Sequence, residues 1–193
     1  MKKQMQNIAS SAKIVELSEQ YFINCCLKLF PHQNYKFELV EMPTNSIIPL
    51  CKYVYESRLA FAQKLIILYE MSSIRLFKPC IFIDSLGQKR IIAPPVIEQR
   101  DGINVLCDGT HRVYSTINNG KKHIKVLVAF NYELPLPGKL NRWGNVRLMP
   151  EQLPVESNFI DFNRNGLTGY SKFFNSEYYI DLQNMEKKYN EYL

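Results

Sequence analysis

The chain has no apolar run long enough to span a membrane, and its polar N-terminus has no apolar core of the kind found in signal peptides. Its five cysteines (25, 26, 51, 80 and 107) are an odd number, and no two of them form a CxxC pair. Such a set favours reduced, mostly buried thiols over a disulfide framework or a zinc site. These absences predict a cytoplasmic protein with no membrane partner.

The chain also lacks internal repeats, low-complexity segments, an arginine-rich block and a carboxylate cluster suited to two metal ions. Nuclease chemistry therefore ranks low. The composition is ordinary for a folded protein, with 46% apolar and 22% charged residues in 193. A formal charge of +6 and a pI near 9.0 favour anionic partners, either phosphates and nucleotides or, on a weak signal, DNA.

Apolar periodicity predicts alternating helices and strands. Around residue 109, the succession of strand, helix and strand predicts a right-handed crossover unit. An aromatic-rich tail follows, with few clear periods before a short final helix. The predicted helices cover 9–30, 50–70, 110–118 and 181–191, and the predicted strands cover 35–42, 78–83, 90–98, 103–107 and 123–131.

The most informative stretch is 105–120, an apolar strand that turns sharply at Gly109 into a helix. Thr110 is the predicted N-cap, because its hydroxyl can accept a bond from a first-turn amide. Arg112 stands in the first turn, where a cation is poorly placed against the helix dipole unless an anion binds at the same end. Two interpretations are open: an anion site, or an Arg112 that simply pairs with a nearby carboxylate.

Two stretches, 95–97 (Pro-Val-Ile) and 104–112 (Asn-Val-Leu-Cys-Asp-Gly-Thr-His-Arg), resemble the strand, turn and phosphate-binding motif of the ParB/sulfiredoxin superfamily. The likeness extends over 38–131 and is strongest at 94–128. It implies an α+β fold in which a small mixed sheet is packed with helices.

The resemblance also suggests three parts of the chain. These are an N-terminal helical segment over 1–34, a ParB/sulfiredoxin-like domain over 35–132, and an aromatic-rich C-terminal extension over 133–193 packed on that domain.

The branches of this superfamily differ within the motif. Sulfiredoxins have a catalytic Cys where this chain has Thr110, so their covalent chemistry has no nucleophile here. Chromosome-partitioning ParB proteins have a Glu-Arg-Arg box that binds CTP and a helix-turn-helix domain, which nothing after residue 131 resembles. The nearest motif is Asp-Gly-His-His-Arg, found with near variants in the ParB-like free serine kinases.

By motif position, this resemblance implies that Gly109, Thr110, His111 and Arg112 bind nucleotide phosphates. Asp108 would bind Mg²⁺ or orient the accepting hydroxyl. The implied nucleotide is ATP or ADP, with CTP as the alternative, and the implied substrate is a small hydroxyl compound such as free serine. Phosphoryl transfer of this kind needs charge neutralisation and alignment more than covalent help.

The candidate catalytic residues are Asp108, Glu56 and His111, but the match is incomplete. Lys52 stands where the kinases have their catalytic Glu. Glu56, one turn later, is the candidate base, and Glu41 in the preceding strand is the alternative. The sequence therefore predicts either a nucleotide-dependent phosphotransferase or a non-catalytic nucleotide- or DNA-binding regulatory module of the ParB type.

Overall fold

A computed structural model describes residues 12–29, 36–87, 89–130 and 135–167. These residues form a mixed α/β fold with three sheets. The helices are α1 (Glu19–Leu29), α2 (Glu56–Met71) and α3 (Thr110–Asn118), and short 3₁₀ turns lie at Thr44–Ser46, Trp143–Asn145 and Val155–Asn158. The strands are β1 (Lys13–Glu16), β2 (Lys36–Pro43), β3 (Ile47–Ile48), β4 (Tyr53–Tyr55), β5 (Cys80–Ile83), β6 (Lys89–Ile92), β7 (Val96–Arg100), β8 (Ile103–Asp108), β9 (His123–Phe130) and β10 (Arg147–Met149).

The largest sheet has five strands in the order β2-β9-β7-β8-β3. β9 pairs with β2 in antiparallel fashion and with β7 in parallel fashion. β8 runs antiparallel to β7, and the short β3 closes the far edge parallel to β8.

Both faces of this sheet are buried, because the side chains of a strand alternate between faces. On β9, Val126 and Val128 pack in one cluster with residues of α2 and α3. Leu127 and Ala129 pack in a second cluster with Phe22 of α1. The helices therefore cover opposite faces of one sheet.

Two smaller sheets complete the fold. β1, β5 and β6 form an antiparallel sheet, and β10 pairs in parallel with β4. The second pairing brings a late segment of the chain to the strand that leads into α2.

Several predicted elements are confirmed: β2, β5, β8, α3 and β9 all lie where the sequence pattern indicated. The extended run predicted over 90–98 is two strands, β6 and β7, separated by Pro94 and Pro95. The helix predicted over 181–191 lies outside the described residues.

Two helix starts were predicted wrongly. Residues 13–16 form β1, and α1 begins only at Glu19; residues 53–55 form β4, and α2 begins only at Glu56. In both cases the sequence continues a helical spacing of apolar residues, but pairing with a strand far away in the chain determines the local structure.

The predicted crossover unit is also wrong. β7 lies between β8 and β9, and it is antiparallel to one and parallel to the other. β8 and β9 therefore run in opposite directions and are not neighbours, so α3 does not join two parallel strands. Local periodicity carries no information on strand direction.

None of the helices in the described ranges is long and apolar enough to cross a membrane.

The core prediction concerns Ile97, which lies on β7 and has no exposed side-chain surface. Ile97→Ala removes buried methyl groups and leaves a cavity, so we expect it to lower the free energy of unfolding by about 2–5 kcal/mol. Gln99→Ala, on the same strand at an exposed position, is the matched control. Urea denaturation measures both variants, and equal losses would contradict the assignment of Ile97 to the core.

Candidate functional site

The turn between β8 and α3 depends on Gly109. Its φ of +87° is in the left-handed region, and it occupies the N-cap position of α3. A Cβ added there would lie 2.9 Å from both the Cα and the Cβ of Pro95. Only glycine fits both the conformation and the space.

Thr110 is the first helical residue and not the predicted N-cap, because the left-handed Gly109 takes that position without a side-chain cap. The Thr110 side chain lies near the thiol of Cys51, whose pKa it acts to lower. Burial raises the pKa of that thiol to about 11, so Cys51 is neutral and unreactive near neutral pH.

Arg112 is held by groups on three sides. Its Nη2 donates a hydrogen bond to Oδ2 of Asp108 at 2.8 Å, and its Nη1 donates to the carbonyl oxygen of Ala93. The guanidinium also lies over the ring of Phe77, 6.0 Å from the centroid. The second interpretation, pairing with a nearby carboxylate, is therefore the one observed. Phosphate binding by Arg112 stays a prediction that must accommodate these partners.

His111 is fixed by the backbone of β4. The N–H of Tyr55 donates a hydrogen bond to Nε2 of His111 at 3.0 Å. Burial, together with the nearby positive charge of Arg58, lowers the pKa of His111 to about 4. The ring is therefore neutral at pH 7 and carries its proton on Nδ1. It can donate a hydrogen bond to a ligand, but it does not supply a positive charge.

A cavity of about 920 Å³ opens in front of the 108–112 motif. Besides the motif, its walls come from the start of α2, from β6 with the linker after it, and from residues 152–159. Three cationic side chains (Arg58, Lys89 and Arg112) line it together with one carboxylate, Asp108. Such a lining favours an anionic ligand.

Two helices begin at this cavity. Tyr55 and Gly109 are the N-caps of α2 and α3, and neither helix start has a side-chain cap hydrogen bond. The first amides of a helix have no partner within the helix and carry its positive dipole end. An anion in the cavity would therefore meet two such ends.

The structure does not bring the predicted catalytic base to the motif. Glu56 is exposed and does not line the cavity. Glu41 is also exposed, on β2, where its carboxylate lies 3.6 Å from Arg75. Asp108, whose carboxylate is bonded to Arg112, is the one acidic lining residue among those described.

The sequence did not indicate that Arg58 and residues 152–159 would line the cavity. The charged residues near the start of α2 are typical of a solvated helix face; Arg58 is exposed, as this pattern indicates, but its side chain also lines the cavity. Residues 152–159 gave no signal, because the segment has no helical or strand periodicity.

The donor set for a metal ion is small. Across the described parts of the chain, no three His, Cys, Asp or Glu residues cluster as metal ligands. Mg²⁺ is often held by one or two carboxylates together with substrate phosphates and water. Asp108 fits only that mode, in which most ligands come with the nucleotide, so its role as a magnesium ligand stays a prediction.

Gly109 provides a direct test of the turn. Gly109→Ala combines a left-handed alanine with a collision against Pro95, whereas Gly102→Ala has the same type of backbone strain and open space around the new methyl group. We expect the first variant to lose clearly more stability in urea denaturation, since left-handed alanine alone costs about 1–2 kcal/mol. Equal losses would show that Pro95 does not confine the turn.

The lowered pKa of His111 predicts that the free energy of unfolding depends on pH. Its pKa falls from 6.5 to about 4 on folding, so protonation favours the unfolded chain. The stability that it contributes is fully present above pH 6.5 and is lost as the pH falls toward 4. His111→Gln keeps an acceptor for the Tyr55 amide but does not titrate. We therefore expect urea midpoints of the two proteins to diverge over this interval, and parallel pH profiles would contradict the assignment.

Comparison with protein-family models, with curated proteins and with solved structures returned no match to this chain. The likeness to the ParB/sulfiredoxin superfamily therefore depends on the motif and on the order of the elements around it.

Proposed function

We propose that this chain is a nucleotide-binding protein of the ParB/sulfiredoxin type and that the phosphates bind at the start of α3. The observation that carries the proposal is the convergence of two helix starts without side-chain caps on one cavity with a cationic lining. Backbone amides, helix dipoles and guanidinium groups all stabilise a phosphate in that position.

The size and the remaining lining of the cavity support a nucleotide over a lone phosphate. About 920 Å³ lies within the range typical of small-molecule sites, roughly 300–1,000 Å³. Along α2, Phe61 and Leu65 follow Arg58 at intervals of about one turn, and Ile91 lies on the facing strand β6. An apolar wall of this kind suits the ring of a base or sugar beyond the phosphates.

The groups around the motif support binding more directly than turnover. A kinase that acts on a serine-type hydroxyl needs a base within hydrogen-bond reach of that hydroxyl. Glu56 lies outside the lining, and Asp108 is engaged with Arg112. We therefore propose a binding module, in which Asp108 would act as a base only if a ligand displaced Arg112.

Nucleotide binding can be tested with ATP, ADP and CTP, each with and without Mg²⁺, by thermal shift and calorimetry. We expect at least one of them to bind, and we expect Arg58→Ala to weaken that binding roughly tenfold, since a hydrogen bond to a charged group contributes about 1.5–3 kcal/mol. Arg75→Ala removes the same charge outside the cavity lining and is the matched control.

The results of these experiments distinguish a nucleotide-binding module from a phosphotransferase. No binding of any nucleotide, or equal weakening by both arginine variants, would refute the proposal. Transfer of labelled phosphate from a bound nucleotide to free serine would show that the protein is an enzyme, and Asp108→Asn should then abolish the transfer.

A further inference from the structure

The strand β6 is an outer strand of its sheet, and the cavity lies along its free edge. The order of the described strands in this sheet is β1-β5-β6, so β6 has a sheet neighbour on one side. Ile91 and Ile92 both line the cavity, although their side chains pack in two separate core clusters. Neighbouring side chains point to opposite faces of a strand. A cavity that contacts both residues therefore meets the edge of β6.

The pairing of β5 determines which main-chain groups of β6 point to that edge. The amide of Leu17 donates to the carbonyl of Pro79 at 2.9 Å, on the side of β1. The N–H and C=O of one strand residue point to the same side, and successive residues alternate between sides. Cys80 therefore bonds to β6, where its partner is Ile92. It follows that Ile91 directs its N–H and C=O away from β5 and toward the free edge.

The hydrogen bond of Arg112 supports this orientation independently. Its Nη1 donates to the carbonyl oxygen of Ala93, two residues after Ile91, so that carbonyl points to α3 and not to β5. Because Ala93 precedes a proline, it favours an extended conformation, and the alternation of β6 continues through it. The carbonyl of Ile91 then points to the same side. Since Ile91 is only 8% exposed, its outward donor and acceptor are largely shielded from water.

An exposed aromatic ring lies near the same edge. Phe61 of α2 lines the cavity and is 50% exposed. Its ring packs edge to face against Phe82 of β5, with the centroids 6.5 Å apart. Phe82 lies on the strand that pairs with β6, one register position from Ile81, the partner of Ile91. The cavity therefore combines an aromatic surface with a placed donor and acceptor, as small-molecule sites do.

A nucleobase matches this combination. Adenine, for example, presents an amino donor beside a ring-nitrogen acceptor. Such an edge can donate to the C=O of Ile91 and accept from its N–H, while the ring contacts Phe61. An extended peptide is a poorer match, because a strand added to a sheet edge uses successive main-chain groups. Here the next outward carbonyl, that of Ala93, is already bonded to Arg112.

We propose that the free edge of β6 binds the base of the nucleotide, through the main chain of Ile91 and the ring of Phe61. The ligand class is a nucleotide whose base presents a donor beside an acceptor on one edge. Phe61 follows Arg58 by about 4.5 Å along the axis of α2, so one ligand of nucleotide size can reach both. The inference rests on the proposed phosphate binding and names what the site binds beyond the phosphates.

The ligand test compares three triphosphates by calorimetry on the wild-type protein. These are ATP, purine riboside 5′-triphosphate, which has the same ring without the amino group, and inorganic triphosphate. We expect ATP to bind about tenfold more tightly than the purine riboside, because the C=O of Ile91 then loses its donor. Inorganic triphosphate should bind more weakly still. Should CTP bind and ATP not, CTP and its analogue without the 4-amino group replace the purine pair.

Proline substitutions test the main chain, since proline has no N–H. Ile91→Pro removes the outward donor, whereas Ile91→Ala shortens the side chain and keeps it. We expect the proline variant to bind ATP about tenfold more weakly than the alanine variant. Glu16→Pro is the control, because Glu16 precedes Leu17 on the other outer strand, points its N–H outward and lies outside the cavity lining. It should leave the affinity for ATP unchanged.

The orientation of β6 has its own test, which needs no ligand. The amide of Ile92 belongs to the ladder with β5, so Ile92→Pro removes a sheet hydrogen bond and Ile91→Pro does not. We expect Ile92→Pro to lose clearly more stability in urea denaturation. Equal losses would overturn the assignment of the Ile91 donor to the free edge, and with it the inference.

Failure of the inference and failure of the proposed function give different results. If ATP binds no more tightly than purine riboside triphosphate or inorganic triphosphate, the base is not bound at β6, while phosphate binding stands. If none of the nucleotides and triphosphates binds, the proposed function fails and the inference fails with it. Should Ile91→Pro not fold, the three ligands on the wild-type protein still decide the result.

Discussion

The arrangement around the site depends on the contacts of one guanidinium group. The Arg112 side chain is only 13% exposed, and its charge is compensated by Asp108, by the Ala93 carbonyl and by the face of the Phe77 ring. A buried charge without such partners costs several kcal/mol. The loss of one partner would therefore destabilise the whole arrangement around Arg112. These contacts join the first turn of α3 to the end of β8 and to the linker before β7. Gly109 packs tightly against Pro95 in the same linker.

The same contacts determine how an anion would be bound. Arg112 is already compensated by Asp108, and His111 is neutral because it is buried and accepts the Tyr55 amide. Much of the attraction for a phosphate must therefore come from backbone amides at the two helix starts and from Arg58. Fixed dipoles of this kind need no reorganisation when the ligand binds. The motif alone predicts phosphate binding by Gly109, Thr110, His111 and Arg112, without a contribution from α2.

The parts of the fold that were predictable are those determined by local pattern. The alternation of apolar residues along β9 is visible in the sequence, and so is the glycine that separates β8 from α3. The strands β1 and β4 were not predictable, because each is formed by pairing with a segment far away in the chain. The exposure of Glu56 depends on where α2 begins, so the error in the helix start also misplaced the candidate base. Residues 152–159 have no periodic pattern, and their position follows from contacts such as those of Asn158, Phe159 and β10 with distant segments.

β4 has only three residues, but it is hydrogen-bonded both to His111 of α3 and to Asn158. One of its amides, that of Tyr55, determines the tautomer of His111, and another, that of Tyr53, donates a hydrogen bond to Oδ1 of Asn158. Since both amides belong to one short backbone segment, a displacement of β4 would affect the hydrogen bond of His111 and that of Asn158 together. The 108–112 motif and residues 152–159, which have no periodic sequence pattern, are therefore both hydrogen-bonded to the same short strand.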